Sequence, residues 1–288
     1  MEDVQFGPFE PAIEGFIEGI WSVTEDAQGD LYAICQTGYI YKVVDRQCQE
    51  MYSTGGQPTS LIYDQENTGY ICDIAHQRIL CQSESEGNKL EVTEIVKDYE
   101  GKPLLGPNSL AFNEANSYIY FTDSGPLGES TLSNSAGSIF AADLELLVLK
   151  PIALNCLAHP CGIVSSPDGK YLYVAETLKN RVLRISQSPP GVHHLSVFYQ
   201  FNGRLGPTAL AISENGLLYV ARYEFRDNAS AGLVSIIDPE GNSLGSFNLP
   251  DGSEITGLYF SKSAPNLLYI TESSTNMCYR VIVPSERI

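Results

Sequence analysis

The chain has 288 residues, 43% of them hydrophobic, and a formal net charge of −18. A charge this negative argues against a nucleic-acid backbone or an anionic membrane surface as partner, because both repel an acidic protein. The length is compatible with two average domains or with one large all-β domain. The acidity itself is typical of a soluble surface, or of carboxylates gathered at a cation site.

The amino terminus and the cysteines predict a cytoplasmic protein. Glu2 and Asp3 precede a segment that lacks the apolar core of a signal peptide. The most apolar run, residues 144–154, is too short and too charged to cross a bilayer, so we expect no membrane insertion. Seven cysteines, an odd number without a CxxC pair, are typical of reduced thiols rather than of a disulfide framework.

Six copies of one strand pattern follow each other along the chain. Each copy is a turn residue, often proline, then a strand, a polar turn and a second strand. Matching apolar positions recur roughly every 48 residues at Leu61, Leu110, Ile163, Leu210 and Leu258. The copies read EGIWSVTEDAQGDLYAICQ, QPTSLIYDQENTGYICDI, GPNSLAFNEANSYIYFTDS, HPCGIVSSPDGKYLYVAET, GPTALAISENGLLYVARYE and EITGLYFSKSAPNLLYITES.

Each copy continues into a third strand, and five copies continue into a fourth, such as LSVFYQF after the fourth copy. Short strands repeated in this way without helical periodicity predict an all-β, six-bladed β-propeller of four-stranded blades. We expect one domain over residues 1–288, with blades starting near residues 18, 58, 107, 160, 207 and 255. The sixth copy lacks a fourth strand, so we expect the N-terminal strand 4–9 to complete the last blade and close the ring.

The geometry of a blade brings two sets of residues to one face of the ring. The first strand lines the central channel and the second returns antiparallel, so the start of one and the end of the other meet at the channel mouth. The first-strand starts are Glu18, Thr59, Asn108, Cys161, Thr208 and Thr256. The second-strand ends are Gln36, Asp73, Asp123, Glu176, Arg222 and Glu272.

These two sets predict an acidic funnel at the channel mouth. Four carboxylates of the second set and Glu18 of the first would face one space, where like charges raise one another's pKa unless a cation or Arg222 offsets them. Oxygen ligands of this kind suit hard cations such as Ca²⁺. The alternative is that these residues only form turns, because Asp, Asn, Ser and Thr at strand ends commonly hydrogen-bond their own backbone.

Three motifs resemble those of the regucalcin/gluconolactonase family of six-bladed propellers, which neighbours the strictosidine-synthase-like and NHL-repeat propellers. They are GPNSLAF with IYFTDS, SPDGKYLYVAET with NRVLRI, and EGIW. The resemblance implies a divalent metal, often Ca²⁺, which polarises a lactone or ester carbonyl while an Asp acts as base. It further implies Glu18 and Asn108 as residues at the metal, with Asn108 near the substrate as well.

The chain departs from the family pattern at two positions. HPCG stands where the family has an Asn ligand, and GPTA stands where it has the Asp base, so the chain offers Cys161 and Thr208 there. A thiol is a poor ligand for Ca²⁺, and a threonine hydroxyl is a weak base. Asp123, Glu176 and Glu272 are the candidate catalytic residues, and Asn108, Arg222, Cys161 and Thr208 are the candidate substrate-binding residues.

Two further features lie near the predicted mouth. His159 precedes Pro160 and is a candidate general base, and with that base nearby Cys161 becomes a candidate nucleophile if its pKa is depressed. The long loop 124–137, between the second and third strands of blade 3, would cap a pocket or contact a partner.

Two functions remain open on the sequence alone. One is a hydrolase that acts on a small molecule in the channel mouth, with Ca²⁺ or another divalent metal as the implied cofactor and an incomplete ligand set. The other is a non-catalytic scaffold in which a loop face binds a protein and the metal site has degenerated. Propellers serve both purposes, so the fold alone does not choose between them.

Overall fold

A computed structural model describes residues 6–85, 89–113, 118–146, 148–187, 191–203, 206–223 and 231–284. It confirms the predicted all-β, six-bladed propeller of four-stranded antiparallel blades. In five blades the strands lie side by side in chain order from the channel outward. Among these residues, no helix has the length and apolar character that crossing a membrane requires.

The strands of the first half of the ring are as follows. After β1 (Glu10–Pro11), blades 1 and 2 contain β2 (Ile20–Glu25), β3 (Leu31–Cys35), β4 (Tyr39–Val44), β5 (Gln47–Ser53), β6 (Pro58–Tyr63), β7 (Gly69–Asp73), β8 (Arg78–Ser85) and β9 (Lys89–Val96). A small ribbon of β10 (Asp98–Tyr99) and β11 (Lys102–Pro103) leads to blade 3. Blade 3 contains β12 (Pro107–Asn113), β13 (Tyr118–Asp123), β14 (Gly137–Asp143) and β15 (Val148–Leu157).

The second half repeats the arrangement. Blade 4 contains β16 (Pro160–Ser165), β17 (Tyr171–Glu176), a 3-10 turn at Thr177–Lys179, β18 (Arg181–Ser186) and β19 (His194–Gln200). Blades 5 and 6 contain β20 (Gly206–Ile212), β21 (Leu218–Tyr223), β22 (Leu233–Ile237), β23 (Ser243–Asn248), β24 (Ile255–Phe260), β25 (Leu267–Glu272) and β26 (Met277–Ile282). The first strands of the blades begin within two residues of the predicted starts.

The inner strands contact one another around a complete circle, in the order β2, β6, β12, β16, β20, β24 and back to β2. Each junction between neighbouring blades holds a hydrophobic cluster, for example Tyr120 and Ile139 of blade 3 against Ile163 and Val174 of blade 4. The second strands are therefore buried on both faces, as the almost continuous burial of β13 and β17 shows. The outer strands, such as β19, are mostly exposed.

The N-terminal segment pairs with the sixth blade, with its ladder pairing just after the predicted residues 4–9. The pairing strand is β1, which lies antiparallel to β26 with Glu10 opposite Arg280. Phe6 and Phe9 pack against Phe247, with ring centroids 4.2 Å and 5.8 Å away. Within the predicted segment the Gly7 N–H donates to the Ile282 carbonyl oxygen at 3.3 Å, so its described part lies along β26, and the ladder pairing falls at Glu10 and Pro11. Residues 4 and 5 lie outside the described residues.

Candidate functional site

Every inner strand carries a β-bulge near its start. The register with the second strand shifts at Ile20/Ser22, Pro58/Ser60, Pro107/Ser109, Pro160/Ile163, Pro207/Leu210 and Ile255/Gly257. The side chains at the bulges are Trp21, Thr59, Asn108, Cys161, Thr208 and Thr256. Bulges commonly re-aim a side chain beside a functional site, and all six of these residues line the central channel or its mouth.

Blade 1 departs from the predicted ring. The bulge residue there is Trp21, and Glu18 lies before β2 on the exposed surface. Gly19 between them has a φ of 71°, and its N–H donates to Asn276 Oδ1 at 2.8 Å. Only glycine adopts that backbone conformation readily, so the chain turns before it enters the strand. The prediction that Glu18 shares the ring of Asn108 was therefore wrong.

The carboxylates at the ends of the second strands do not face a funnel. They bind the connectors, which are the backbone segments that lead into the first strands. Asp123 of blade 3 is 4% exposed and accepts the backbone N–H groups of Leu105 at 3.0 Å and Gly106 at 2.8 Å. Asp73 of blade 2 is fully buried and accepts the N–H of Gln57 at 3.0 Å. Each carboxylate thus accepts hydrogen bonds from the backbone N–H groups that lead into the first strand of its own blade, as the turn-forming alternative predicted.

Blades 4 and 6 repeat this arrangement with glutamates. Glu176 accepts the Ala158 N–H at 2.9 Å and pairs with Lys179 and Arg181. Glu272 accepts the N–H groups that precede β24 and the N–H and hydroxyl groups of the turn after β25. Its donors are Ser253, Glu254, Ser274 and Thr275. The described residues that line the mouth do not include Asp123, Glu176 or Glu272.

Blade 5 uses a cation for the same purpose. Arg222 donates to the carbonyl oxygen of Asn202 at 3.1 Å and stacks over the Phe201 ring at 4.1 Å. Its side chain therefore holds the connector before β20, and it is not among the described lining residues of the mouth. The predicted acidic funnel was wrong because backbone N–H groups and paired cations take up these charges.

A cavity of about 380 Å³ nevertheless lies at the channel mouth. Of the predicted substrate-binding residues, Asn108, Cys161 and Thr208 line it. Asn108 Nδ2 donates to Ser124 Oγ at 3.3 Å, and the Thr208 hydroxyl donates to the Ile255 carbonyl at 2.9 Å. Other lining residues include Trp21, Gln36, Gln57, Ile74, His159, Tyr223, Glu254, Thr256 and Ser273.

Glu254 is a carboxylate of the cavity wall that the sequence patterns missed. It precedes β24 and accepts the Tyr223 hydroxyl at 2.7 Å and the Ser273 hydroxyl at 2.9 Å. Burial and the bonded Glu254 carboxylate raise the pKa of Tyr223 to about 12, so the phenol keeps its proton and donates it to Glu254. Glu254 stands two positions before the bulge residue of its blade. Gln57 and His159, which also line the cavity, occupy the same position in blades 2 and 4.

Cys161 and His159 lie in the same cavity wall. Burial acts to raise the pKa of the Cys161 thiol, but the charge of His159 and hydrogen bonds from His159 and Thr177 outweigh it and lower the pKa. Burial likewise acts to lower the pKa of His159, but Cys161 raises it. Each of the two groups therefore favours the charged form of the other.

The long loop of blade 3 borders this pair. Gly125, Pro126 and Leu127 line the cavity. Ser130 is fully buried, and its hydroxyl oxygen accepts the His159 N–H at 3.2 Å. His159 has a φ of 55°, a conformation that side chains other than glycine seldom adopt, and the loop helps to hold it there.

The six bulge residues, which form a ring around the channel and are called the bulge ring, do not match the ligand set of Ca²⁺. This ion takes about six to eight oxygen ligands, whereas the ring offers one amide, three hydroxyls, a thiol and an indole. The hydroxyls of Thr59 and Thr208 already donate to backbone carbonyls. Across the described ranges, no three His, Cys, Asp or Glu side chains gather in a way that could hold a metal. These residues do not fit the metal that the family resemblance implied.

Comparison with known proteins supports the predicted family. Residues 26–274 match the family model described as the SMP-30/Gluconolactonase/LRE-like region. The lactonase drp35 of Staphylococcus saprophyticus is 27% identical over 237 residues, covering 78% of this chain and 68% of that protein. The same lactonase of Staphylococcus aureus strain MRSA252 is 26% identical over 242 residues, covering 80% of this chain and 69% of that protein.

Solved structures agree on the architecture. A gluconolactonase from Xanthomonas campestris superposes with a TM-score of 0.77 at 19% identity, covering 96% of this chain and 90% of its own. The calcium-binding protein regucalcin from Agrobacterium tumefaciens superposes with a TM-score of 0.76 at 17% identity, covering 96% of each chain. At these identities the likeness establishes the propeller fold.

Proposed function

The chain belongs to the SMP-30/gluconolactonase/LRE-like family, and from that membership and its channel-mouth cavity we propose that it hydrolyses a small lactone or ester. The observation that supports this most is the cavity of about 380 Å³, whose wall combines the Cys161–His159 pair with Asn108 and Glu254. A volume of this size suits a small molecule. The drp35 lactonases among the relatives favour a cyclic ester.

Two polar groups of the wall would orient the substrate. The amide of Asn108 offers N–H to a carbonyl or hydroxyl oxygen, and the Glu254 carboxylate accepts a hydrogen bond from a substrate hydroxyl. Trp21, Ile74 and Leu127 add apolar surface around them. A small polyhydroxylated or hydroxy-substituted lactone matches this combination of one apolar wall and two polar anchors.

His159 is the group that would move protons. Its imidazole lies in the cavity wall, and its raised pKa allows it to give a proton to a leaving alkoxide and then to take one from water. The bulge ring offers a thiol and hydroxyls where Ca²⁺ would need carboxylate and carbonyl oxygens, so no step of this proposal runs through a metal.

A screen of acid release from lactones and aryl esters, followed in a pH-stat with and without EDTA, tests the proposal. We expect turnover of a small lactone that EDTA leaves unchanged, and a KM raised about tenfold by Glu254→Gln because a single lost hydrogen bond to a charged group costs about 1.5 kcal/mol. Glu240→Gln is the matched control, since Glu240 is exposed in a distant turn. Absence of turnover across the panel would contradict the proposal.

A protein-docking role is the second candidate. Leu127 and Leu132 of the long blade 3 loop are 57% and 64% exposed, and Leu127 also lines the cavity. A loop with this apolar surface could dock a partner on the cavity face. A protein that bound a partner through Leu132 but failed to turn over any ester would favour this second role.

A further inference from the structure

Two residues of blade 4 place a thiol beside an imidazole at the mouth of the channel. His159 and Cys161 are two positions apart, on either side of Pro160, and His159 has the left-handed backbone described above. Pro160 between them pairs with Glu176 in β17, and the bulge that follows carries Cys161. Both side chains line the channel-mouth cavity.

Hydrogen bonds from neighbouring segments hold the backbone of both residues. The Thr122 hydroxyl of blade 3 donates to the Cys161 carbonyl at 2.6 Å. The His159 carbonyl accepts the Thr177 N–H at 3.1 Å, and Ser130 accepts the His159 N–H. His159 Nδ1 is buried and has no hydrogen-bond partner among the described residues. Among the described residues no carboxylate bonds Nδ1, so the arrangement is a dyad rather than a triad.

Cys161 differs in this respect from the other cysteines of the chain. The pKa values of all the others are raised, with burial as the largest cause: Cys35, Cys48, Cys72, Cys81, Cys156 and Cys278. Cys161 is as buried as most of them, yet its pKa is lowered because His159 lies beside it. Other ionisable groups nearby are Glu176, already paired with Lys179 and Arg181, and Glu254 in the cavity wall.

From this arrangement we infer that Cys161 is the nucleophile of the proposed hydrolysis and that His159 is its acid–base partner, with an acyl-cysteine as the intermediate. The inference rests on the proposed function for its substrate class. It also gives a function to His159 and Cys161 of HPCG, the stretch in which this chain departs from the family pattern.

The chemistry balances without a further reactant. The Cys161 thiolate attacks the carbonyl carbon, a C–S bond forms, the ring C–O bond breaks, and the alkoxide takes the proton of the His159 imidazolium. Neutral His159 then takes a proton from water while the water oxygen attacks the thioester carbonyl. The C–S bond breaks, and the carboxylic acid leaves with thiolate and imidazolium restored.

Alkylation by iodoacetamide, followed by peptide mass spectrometry, tests the pair independently of any substrate. The exposed Cys156 is the internal reference, because the alkylation of a thiol with a raised pKa falls about tenfold for each pH unit below that pKa. We expect Cys161 alkylation to fall less steeply than Cys156 alkylation between pH 8 and pH 6.5, and to follow the Cys156 profile in His159→Asn. Asparagine tolerates the left-handed backbone at this position, so that variant should fold.

A chromogenic aryl ester tests the covalent step. We expect a rapid-quench sample to carry the acyl group on the Cys161 peptide, and Cys161→Ala to abolish it while Cys156→Ala does not. If Cys161→Ala keeps full lactone turnover, the inference fails and the proposed function stands. If Cys161 titrates as a thiolate and is acylated but no lactone is hydrolysed, the proposed lactone hydrolysis fails and the pair stands. An ordinary Cys161 titration with no acylation would overturn the inference.

Discussion

Trp21 of blade 1 stands at the same bulge position as Asn108 of blade 3, at the start of its inner strand. The two side chains meet the same cavity, one as an apolar wall and the other as an amide. Blade 1 therefore contributes an indole where the family resemblance implied the carboxylate of Glu18.

The first prediction concerns Glu18 and Asn108. Because Glu18 is exposed and outside the described cavity wall, Glu18→Gln should leave ester turnover unchanged within twofold and should not alter the response to Ca²⁺. Asn108→Ala removes an amide from the wall and should lower kcat/KM by about tenfold or more. Parallel kinetics and calorimetric Ca²⁺ titration check both. A loss of turnover in Glu18→Gln would contradict the assignment of the wall.

The second prediction concerns the connector before blade 4. Glu176 is fully buried and holds Ala158, Lys179 and Arg181, so Glu176→Gln should lower the free energy of unfolding by about 3 kcal/mol. The matched control is Glu10→Gln, which breaks the exposed pair with Arg280 and should cost at most about 1 kcal/mol. Urea unfolding measures both. Equal effects would show that the buried carboxylate is not holding the connector.

The third prediction concerns pH. Burial acts to raise the pKa of Glu272, but hydrogen bonds from Ser274, Thr275 and the Glu254 N–H outweigh it and lower the pKa below its ordinary value of 4.5. A lowered folded-state pKa adds stability above the unfolded value, and that stability is lost as the pH falls through the folded value. Glu272→Gln should therefore destabilise the protein at pH 7 and much less at about pH 3.

Urea unfolding at the two pH values makes this comparison. The pKa of Asp123 is shifted in the opposite direction. Burial raises it, and the hydrogen bonds from the Leu105 and Gly106 N–H groups only partly offset this. Its contribution is present below its ordinary value of 3.8 and is lost as the pH rises through the raised value. Asp123→Asn should therefore not reproduce the acid sensitivity of Glu272→Gln, and a shared pH profile would refute the distinction.

The fourth prediction concerns the blade 3 loop. Ser130 Oγ accepts the N–H groups of Gly137 at 2.9 Å and His159 at 3.2 Å, and it donates to the Leu157 carbonyl at 2.6 Å. Ser130→Ala leaves these buried groups without partners and should cost about 1–3 kcal/mol of unfolding free energy. It should also slow Cys161 alkylation at pH 6.5, since His159 loses its support. Ser133→Ala, on the exposed part of the same loop, is the control.

The repeats were sufficient to predict the propeller, because apolar strand pairs recurred with turn signals between them. They also placed Asn108, Cys161 and Thr208 near the mouth, since the bulge residues follow conspicuous turn prolines. The patterns failed at Glu18, where Gly19 turns the chain, and at Asp123, Glu176 and Glu272, whose acceptors are satisfied by backbone N–H groups. Spacing alone does not reveal which hydrogen bonds a strand-end carboxylate makes.

The sequence patterns missed Glu254 for a related reason. It lies before β24 rather than within a strand, and its partners Tyr223 and Ser273 come from other segments. Such a cluster is created by the register between neighbouring strands, which a single sequence does not specify.

Lactone or ester hydrolysis in the channel-mouth cavity should depend on Cys161. The most direct measurement is the initial rate of acid release from a small lactone in EDTA, compared between the wild-type protein, Cys161→Ala and Cys156→Ala. We expect turnover in the wild type and in Cys156→Ala and a loss of at least a hundredfold in Cys161→Ala, as is usual when a covalent nucleophile is removed. Equal rates in all three proteins, or turnover that appears only when Ca²⁺ is added, would contradict it.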